Sequence, residues 1–303
     1  MARPLQKIKN SLIYYAARAL MAALGACPQG IAAGLGRFFG ALVFALAAKE
    51  RRKTLRQIEI GYPQSSPQER LRLARAVWAE LGRKIFETVP WLHWPQARIA
   101  AQAKRSTGWE HLDKALARGK GALVVTAHLG HWELLAATLA SRVPVSAVAQ
   151  KLYDPRFDAL MTRFREKNLG VSMIKRGMAL RGILEALKAR KVVIMLCDQD
   201  SGKDGVFTPF FGKPAFTQSG AARIALKTGA ALVPAFMPRG ADGFFELQVE
   251  KEIPLAQGAD PEKNVLETTR RYTEVIEAQV RAYPDQWVWM HERWKTRPPG
   301  EAS

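Results

Sequence analysis

Cysteine is nearly missing from this chain: among 303 residues only Cys27 and Cys197 occur, far apart in sequence. That scarcity excludes a disulfide-stapled scaffold and a cysteine-based zinc site, and it fits a reducing compartment. Acidic residues are also few, 27 against 46 Lys and Arg, which leaves a net charge of +19. Such an imbalance implies an anionic partner, either nucleic acid or a phospholipid surface. Nucleotide chemistry finds little support: there is no Gly-x4-Gly-Lys-Ser/Thr loop, and Gly34-x-Gly36 sits inside an apolar run rather than after a strand. The Gly-x-Ser-x-Gly elbow of serine lipases is absent too. No internal repeat or low-complexity segment occurs. What is present, 48% apolar and 24% charged residues, excludes wholesale disorder and is ample for a buried core.

The N-terminus carries two apolar runs. Arg3, Lys7 and Lys9 precede the first, at 12–26, and Leu24-Gly25-Ala26-Cys27 resembles a lipoprotein cleavage site. Arg18 and the paired Tyr14 and Tyr15 argue against a cleaved signal. The second run, 31–48, is near the minimum length for crossing a bilayer and holds one charge, Arg37. Gly36 and Gly40 give it a small-xxx-small face suited to close helix contact. Either the two runs are buried core helices, or they anchor the chain to a membrane with the basic cluster 49–53 on the cytoplasmic, anionic-lipid side. Membrane attachment is the favoured expectation, spanning or interfacial. From 66 to 103 the pattern is amphipathic and helical. Arg70, Arg72, Arg75, Arg83 and Lys84 run among Trp78, Phe86, Trp91 and Trp94, which suits a headgroup layer or a core stripe equally.

After Gly108 strands and helices alternate. Strands are expected at 122–127, 143–149, 171–175, 192–197, 231–237 and 244–253. Helices are expected at 132–141, 155–168, 178–189, 217–228 and 261–282, with 198–213 as a loop. This alternation predicts an α/β fold with a central, mostly parallel sheet flanked by helices, preceded by an N-terminal hydrophobic helical membrane-anchoring segment. Three regions follow: anchoring helices with basic flanks at 1–53, an amphipathic helical region at 54–107, and an α/β domain at 108–303.

The chemistry concentrates in Val124-Val125-Thr126-Ala127-His128-Leu129-Gly130-His131-Trp132-Glu133, a buried strand that ends in histidine, passes a glycine and enters a helix. On one regular helix His128 and Glu133 would diverge, but with His128 on the preceding turn Glu133 can fold back to it. A carboxylate on one imidazole nitrogen leaves the other to accept a proton, which is general-base chemistry on a hydroxyl. Open α/β sheets place ligands at such strand ends. Two other readings stand beside it. His128 could only cap the following helix, or His128, His131 and Glu133 could bind a metal, although the helical two-His spacing of zinc proteases is absent.

His128-Leu129-Gly130-His131-Trp132-Glu133 matches the His-x4-Asp/Glu motif of the lysophospholipid acyltransferase superfamily. The chain more specifically resembles the bacterial lipid A late acyltransferases, the lauroyl/myristoyl transferase group. Asp198-Gln199-Asp200, the stretch from Val206 to Gly212, the ending from Pro284 to Pro298, Glu50-Arg51-Arg52 and Trp109-Glu110-His111-Leu112 match as well, so the resemblance covers nearly the whole chain. It implies transfer of a fatty acyl chain from an acyl-carrier-protein thioester to a hydroxyl of a lipid A precursor or related lipid, at the cytoplasmic face of a bacterial inner membrane. His128 would be the base and Glu133 its orienter, without metal or organic cofactor. Backbone N–H groups around Gly130 would meet the oxyanion. An Asn is common in the family at the position of His131, and a charged His131 would lower the pKa of His128.

The remaining candidates lie at the same sheet edge. Arg176 is an acceptor-phosphate contact or a solvated arginine. Asp198 and Asp200 join the substrate-binding set; on residue type alone they could bind Mg²⁺, position an arginine or form an Asx turn, and the resemblance favours organising the site without metal. Cys197 reads as core, and Phe207, Phe210 and Phe211 as the wall of an acyl groove or as ordinary packing. A nucleic-acid-binding protein would account for the charge but not for the apolar runs or the His-x4-Glu turn, and no nucleic-acid motif is present; no nucleic-acid partner is expected.

Overall fold

The structure is a computed structural model describing residues 4–148, 154–174 and 179–300. Four helices open the chain: α1 (Pro4–Gly25), α2 (Gln29–Leu46), α3 (Ala48–Gly61) and α4 (Pro67–Trp91). The α/β part then runs α5 (Gln96–Ala100), β1 (Ala103–Thr107), α6 (Trp109–Ala117), β2 (Ala122–Thr126), α7 (Trp132–Ala140), β3 (Val145–Val148) and α8 (Pro155–Lys167). It continues with β4 (Val171–Ile174), α9 (Ala179–Lys188), β5 (Val192–Leu196), β6 (Gly205–Phe210), β7 (Lys213–Gln218) and α10 (Gly220–Thr228). The last elements are β8 (Ala231–Phe236), β9 (Phe245–Val249), α11 (Pro261–Ala282) and a 3₁₀ turn at Pro284–Gln286.

Seven strands form one sheet in the order β1-β9-β8-β2-β5-β3-β4, and β6 and β7 form a separate hairpin. Every pairing in the large sheet is parallel except β8 with β9. The mostly parallel α/β architecture is therefore as expected. Strand β2 is buried at all five positions because helices cover both faces of the sheet. Its alternate residues enter two cores. Leu123 and Val125 join Val193 and Leu232 with α9, α10 and α11, whereas Ala122 and Val124 join Val192, Ile194 and Val233 with α6, α7 and α8.

Four local differences have physical causes. The helical pattern expected over 66–103 stops at Trp91, one residue after Pro90, and the chain ends that region as β1. Strand β1 is an edge strand, Ala-Lys-Arg-Ser-Thr, exposed along most of its length, so it lacks the apolar run that marks an inner strand. The 198–213 stretch read as a loop holds β6, which pairs antiparallel with β7 from Gly205↔Gln218 to Phe210↔Lys213. That pairing occupies 217 and 218, so α10 starts three residues later than expected. Trp78 and Trp91 are core residues; the Trp78 indole donates to Thr54 Oγ1 at 3.1 Å.

Helix α2 is long and apolar enough to cross a membrane by length and composition. It lies along α4 through glycines. A Cβ on Gly40 would sit 2.1 Å from the Trp78 carbonyl oxygen, and one on Gly82 would sit 2.2 Å from that of Gly36. With the small-residue face turned inward, Ile31, Leu35, Phe38, Leu42 and Leu46 are left exposed. Arg51 closes the end of α2 by donating to the Ala45 carbonyl at 2.7 Å. Gly40→Leu should therefore destabilise the protein by about 3 kcal/mol, since α4 backbone must move to admit it. Gly34→Ala, with nothing within 4 Å of the new carbon, should change stability by about 1 kcal/mol or less. Thermal unfolding of both variants in detergent checks the contrast.

Candidate active site

Strands β2 and β5 pair in parallel register, with Thr126 opposite Leu196. His128 and Asp198 each stand two residues beyond that last pair, so the register delivers imidazole and carboxylate to neighbouring positions. His128 Nδ1 lies 2.9 Å from Asp198 Oδ1. The His128 backbone N–H donates to Oδ2 at 2.9 Å, and the Trp287 indole N–H donates to the same oxygen at 2.8 Å. An ionised carboxylate only accepts, so the proton belongs on Nδ1 and Nε2 is left with its lone pair. The Asp198 side chain is 1% exposed and that of His128 26% exposed, which leaves the imidazole reachable and its partner dry. Burial pushes the Asp198 carboxyl up, but His128, Trp287 and the His128 N–H outweigh it and hold the group at about 2.

Glu133 does not reach His128. It lies in the first turn of α7, where Arg165 of α8 takes both its oxygens, Nη2 to Oε1 at 2.5 Å and Nε to Oε2 at 3.2 Å. The carboxylate bonded to the His128 ring is therefore Asp198, and Glu133 ties α7 to α8.

Gly130 makes the turn possible. Its φ is +57°, and a Cβ there would sit 2.2 Å from the Met237 carbonyl oxygen. Two of the N–H groups around Gly130 are engaged within the protein. The Gly130 N–H donates to the Gln286 carbonyl at 3.2 Å and the His131 N–H to that of Met237 at 2.9 Å. His131 is also no charged auxiliary. It caps α7 by accepting the Leu134 N–H at Nδ1, lies 3.2 Å from Thr88 Oγ1 through Nε2, and stacks on Trp91 at 4.4 Å. Burial, with Lys84 and Arg239 nearby, pulls its pKa well below the ordinary value, so it stays neutral.

Asp198, expected among the substrate-binding residues, has both oxygens occupied by His128 and Trp287. Asp200 is likewise engaged: it accepts the Thr296 N–H at 2.7 Å, the Thr296 hydroxyl at 3.0 Å and the Gly202 N–H at 2.8 Å, the last closing an Asx turn. Its own N–H donates to His291 Nε2 at 3.1 Å. Both aspartates are hydrogen-bonded within the protein. Arg176 lies outside the described residues. Among the described residues no group of three or more His, Cys, Asp or Glu side chains could hold a metal ion. Cys197 is buried core whose thiol pKa is raised by burial. Phe210 and Phe211 pack with Trp287, Trp289 and Trp294, and Phe207 packs on Phe216 inside the hairpin.

Lys84 is the residue the motif did not announce. From α4 its ammonium donates to the Gly130 carbonyl at 3.1 Å and lies 3.6 Å from the centre of the Trp132 ring, which in turn meets His128 edge-on at 5.1 Å. Loss of hydration pulls its pKa down to about 7 despite Asp198, Glu80 and Glu133. No sequence spacing marks this contact. Asp198 did carry a signal: Ala122–Thr126 and Val192–Leu196 are both apolar runs followed, two residues on, by His and by Asp.

Comparison with known proteins places these residues in context. The family model described as bacterial lipid A biosynthesis acyltransferase matches residues 3–296. The lipid A biosynthesis lauroyltransferase of Escherichia coli K12 is 31% identical over 91% of this chain and 89% of its own length. The palmitoleoyltransferase of the same organism is 28% identical over the same shares. A phosphatidylinositol mannoside acyltransferase of Mycobacterium tuberculosis is 27% identical over 81% of this chain and 77% of its own.

Two outcomes follow from the carboxylates. Because folding lowers the Asp198 pKa from 3.8 to about 2, its stabilising contribution is complete above pH 4 and is lost as pH falls towards 2. Asp198→Asn should therefore show a smaller fall in thermal stability across that window than the parent. Glu133→Gln and Arg165→Gln should each cost about 2–3 kcal/mol, and the double variant no more than the worse single, as measured in a double-mutant cycle.

Proposed function

The chain belongs to the bacterial lipid A biosynthesis acyltransferase family, and from that premise we propose that it moves a fatty acyl chain from an acyl-carrier-protein thioester to a hydroxyl of a lipid A precursor. One observation carries the mechanism: an accessible imidazole at the C-terminal edge of the sheet, bonded through Nδ1 to a buried carboxylate. The acceptor hydroxyl gives its proton to His128 Nε2 as its oxygen bonds to the thioester carbonyl carbon. The imidazolium that forms is stabilised by Asp198, which stays ionised. Collapse of the tetrahedral intermediate breaks the C–S bond, and the departing sulfur takes the proton from Nε2, so the base is restored. The thioester is already activated, and these steps need no cofactor. Lys84, its pKa drawn down to about 7, adds positive potential at the same turn when protonated, and Arg176 is assigned to the acceptor phosphate, whose paired oxygens suit a guanidinium fork.

The N-terminal helices are assigned to the cytoplasmic face of the inner membrane. Supporting this are the exposed Leu12, Ile13, Leu20, Ile31 and Phe38, followed directly by the exposed Lys49, Arg52 and Arg56. In this reading 1–53 anchors, 54–107 joins anchor to enzyme and 108–303 carries the chemistry. The net charge of +19 serves anionic lipid, phosphorylated acceptor and acidic carrier alike.

The test is acyl transfer in detergent micelles, with several acyl-carrier-protein thioesters, a tetra-acylated lipid A precursor and mass-spectrometric detection. A gain of one acyl group is expected, and His128→Ala should lower the rate by at least about 100-fold while the protein remains folded. His128→Ala with parental turnover would remove the mechanism. Transfer to a phosphatidylinositol mannoside but not to the lipid A precursor would keep the mechanism and change the acceptor.

A further inference from the structure

The segment from Pro284 to Pro298 matches the family yet contributes no reacting group, and its bonds explain why it is there. We propose that Trp287 is the positioning residue of the His128–Asp198 pair: a buried indole N–H that sets the orientation of the carboxylate and so the basicity of His128. The proposal rests on the reading of that pair given above.

Three sets of bonds converge on it. First, Asp198 Oδ2 accepts two donors, the Trp287 indole and the His128 backbone N–H, which leaves Oδ1 aimed at Nδ1. Rotation of the carboxylate would break all three bonds together. Second, the same stretch of chain holds the base. The Val288 N–H donates to the His128 carbonyl at 3.2 Å, the Gly130 N–H donates to that of Gln286, and Trp287 makes an isolated β-bridge with Leu129. Base and orienter are therefore referred to one backbone segment rather than only to each other. Third, the indole cannot swing away. It is 1% exposed, meets Trp289 edge-on at 4.7 Å, and packs on Phe210 at 5.6 Å. Farther on, the tail engages Asp200 through His291 and Thr296, so both ends of the Asp198–Asp200 turn are attached to it.

Removing only the indole N–H takes one donor from Oδ2. The carboxylate then holds its charge less tightly and turns more freely, so it makes His128 easier to protonate in the free enzyme and holds the productive geometry less firmly. Other charges acting on Asp198 come from Lys84 on α4 and from His291 and Arg293 in the tail, with His128 itself on the β2 turn. The substitution leaves all four in place.

The experiment uses the full chain in detergent with acyl-carrier-protein thioester and lipid A precursor. Trp287→Phe is compared with replacement of Trp287 by 3-benzothienylalanine, which keeps the ring outline and deletes the N–H. The benzothienyl protein retains the packing and gives the reading should the Phe variant not fold. Expected is a fall in kcat of about tenfold, the scale of one hydrogen bond to a charged group, with KM for both substrates little changed. The acid limb of kcat/KM should move up by about half a pH unit, a shift that packing alone would not produce. His128→Ala and Asp198→Asn run alongside. If both are inactive while the benzothienyl protein keeps the parental kcat and acid limb, Trp287 is packing only and the proposal falls. If His128→Ala turns over normally, the base assignment falls and takes the proposal with it.

Discussion

The site depends on the parallel pairing of β2 with β5. Neighbouring strands in a sheet lie just under 5 Å apart, and side chains at equal register point to the same side. Because Thr126 faces Leu196, residues 128 and 198 leave the sheet together, and a histidine and an aspartate at those positions meet. A shift of one residue would turn one of them to the other side of the sheet. Strong burial at β2 and β5 makes that slip costly, since it would carry Leu123 or Val193, whichever strand moved, out of one core and into the other. The His128–Asp198 pair at the strand ends is thus held by hydrophobic packing inside the sheet.

Around that pair the protein separates two carboxylates by environment. Asp198 is dry, triply bonded and ionised, which suits a group that must answer a charge appearing on the imidazole. Glu133 is matched by a guanidinium and serves to join two helices. The turn between them is held from several sides: by Met237 after β8, by Gln286 and Val288 in the tail, and by Lys84 from α4. His131 completes the frame as a neutral cap, its ring lying on Trp91. A turn so fully hydrogen-bonded presents Nε2 with little conformational search, and geometry of that kind is where much of a base's effectiveness lies.

The N-terminal helices solve a different problem. Gly36, Gly40 and Gly82 let α2 and α4 approach backbone to backbone, and that contact uses Gly36 and Gly40 of α2. Ile31, Leu35, Phe38, Leu42 and Leu46 are left outside, with basic residues following at once in α3. Helix α4 runs from this surface to Lys84, whose ammonium donates to the Gly130 carbonyl.

How much of this was legible beforehand depended on the range of the interaction. The buried strands at 122–127 and 192–197, the glycine turn, the small-residue face of α2 and the base itself are local patterns, and each can be read from a few adjacent residues. The polar edge strand β1 and the β6–β7 hairpin could not be read so, because pairing partners define them more than their own composition does. At the site, nearness in sequence and nearness in space differ. Glu133 is five residues from His128, yet it bonds to Arg165, while Asp198, seventy residues away, bonds to the imidazole. The repeated offset after two apolar runs hinted at that pairing; the contacts of Lys84 and Trp287 left no such trace. By itself the sequence determined the family, the fold class, the buried strands and the candidate base. The choice of carboxylate, the neutrality of His131 and the work of the tail were decided by tertiary structure. Strand order and helix packing bring distant side chains within 3 Å, and hydrogen bonding and desolvation act through space rather than along the chain.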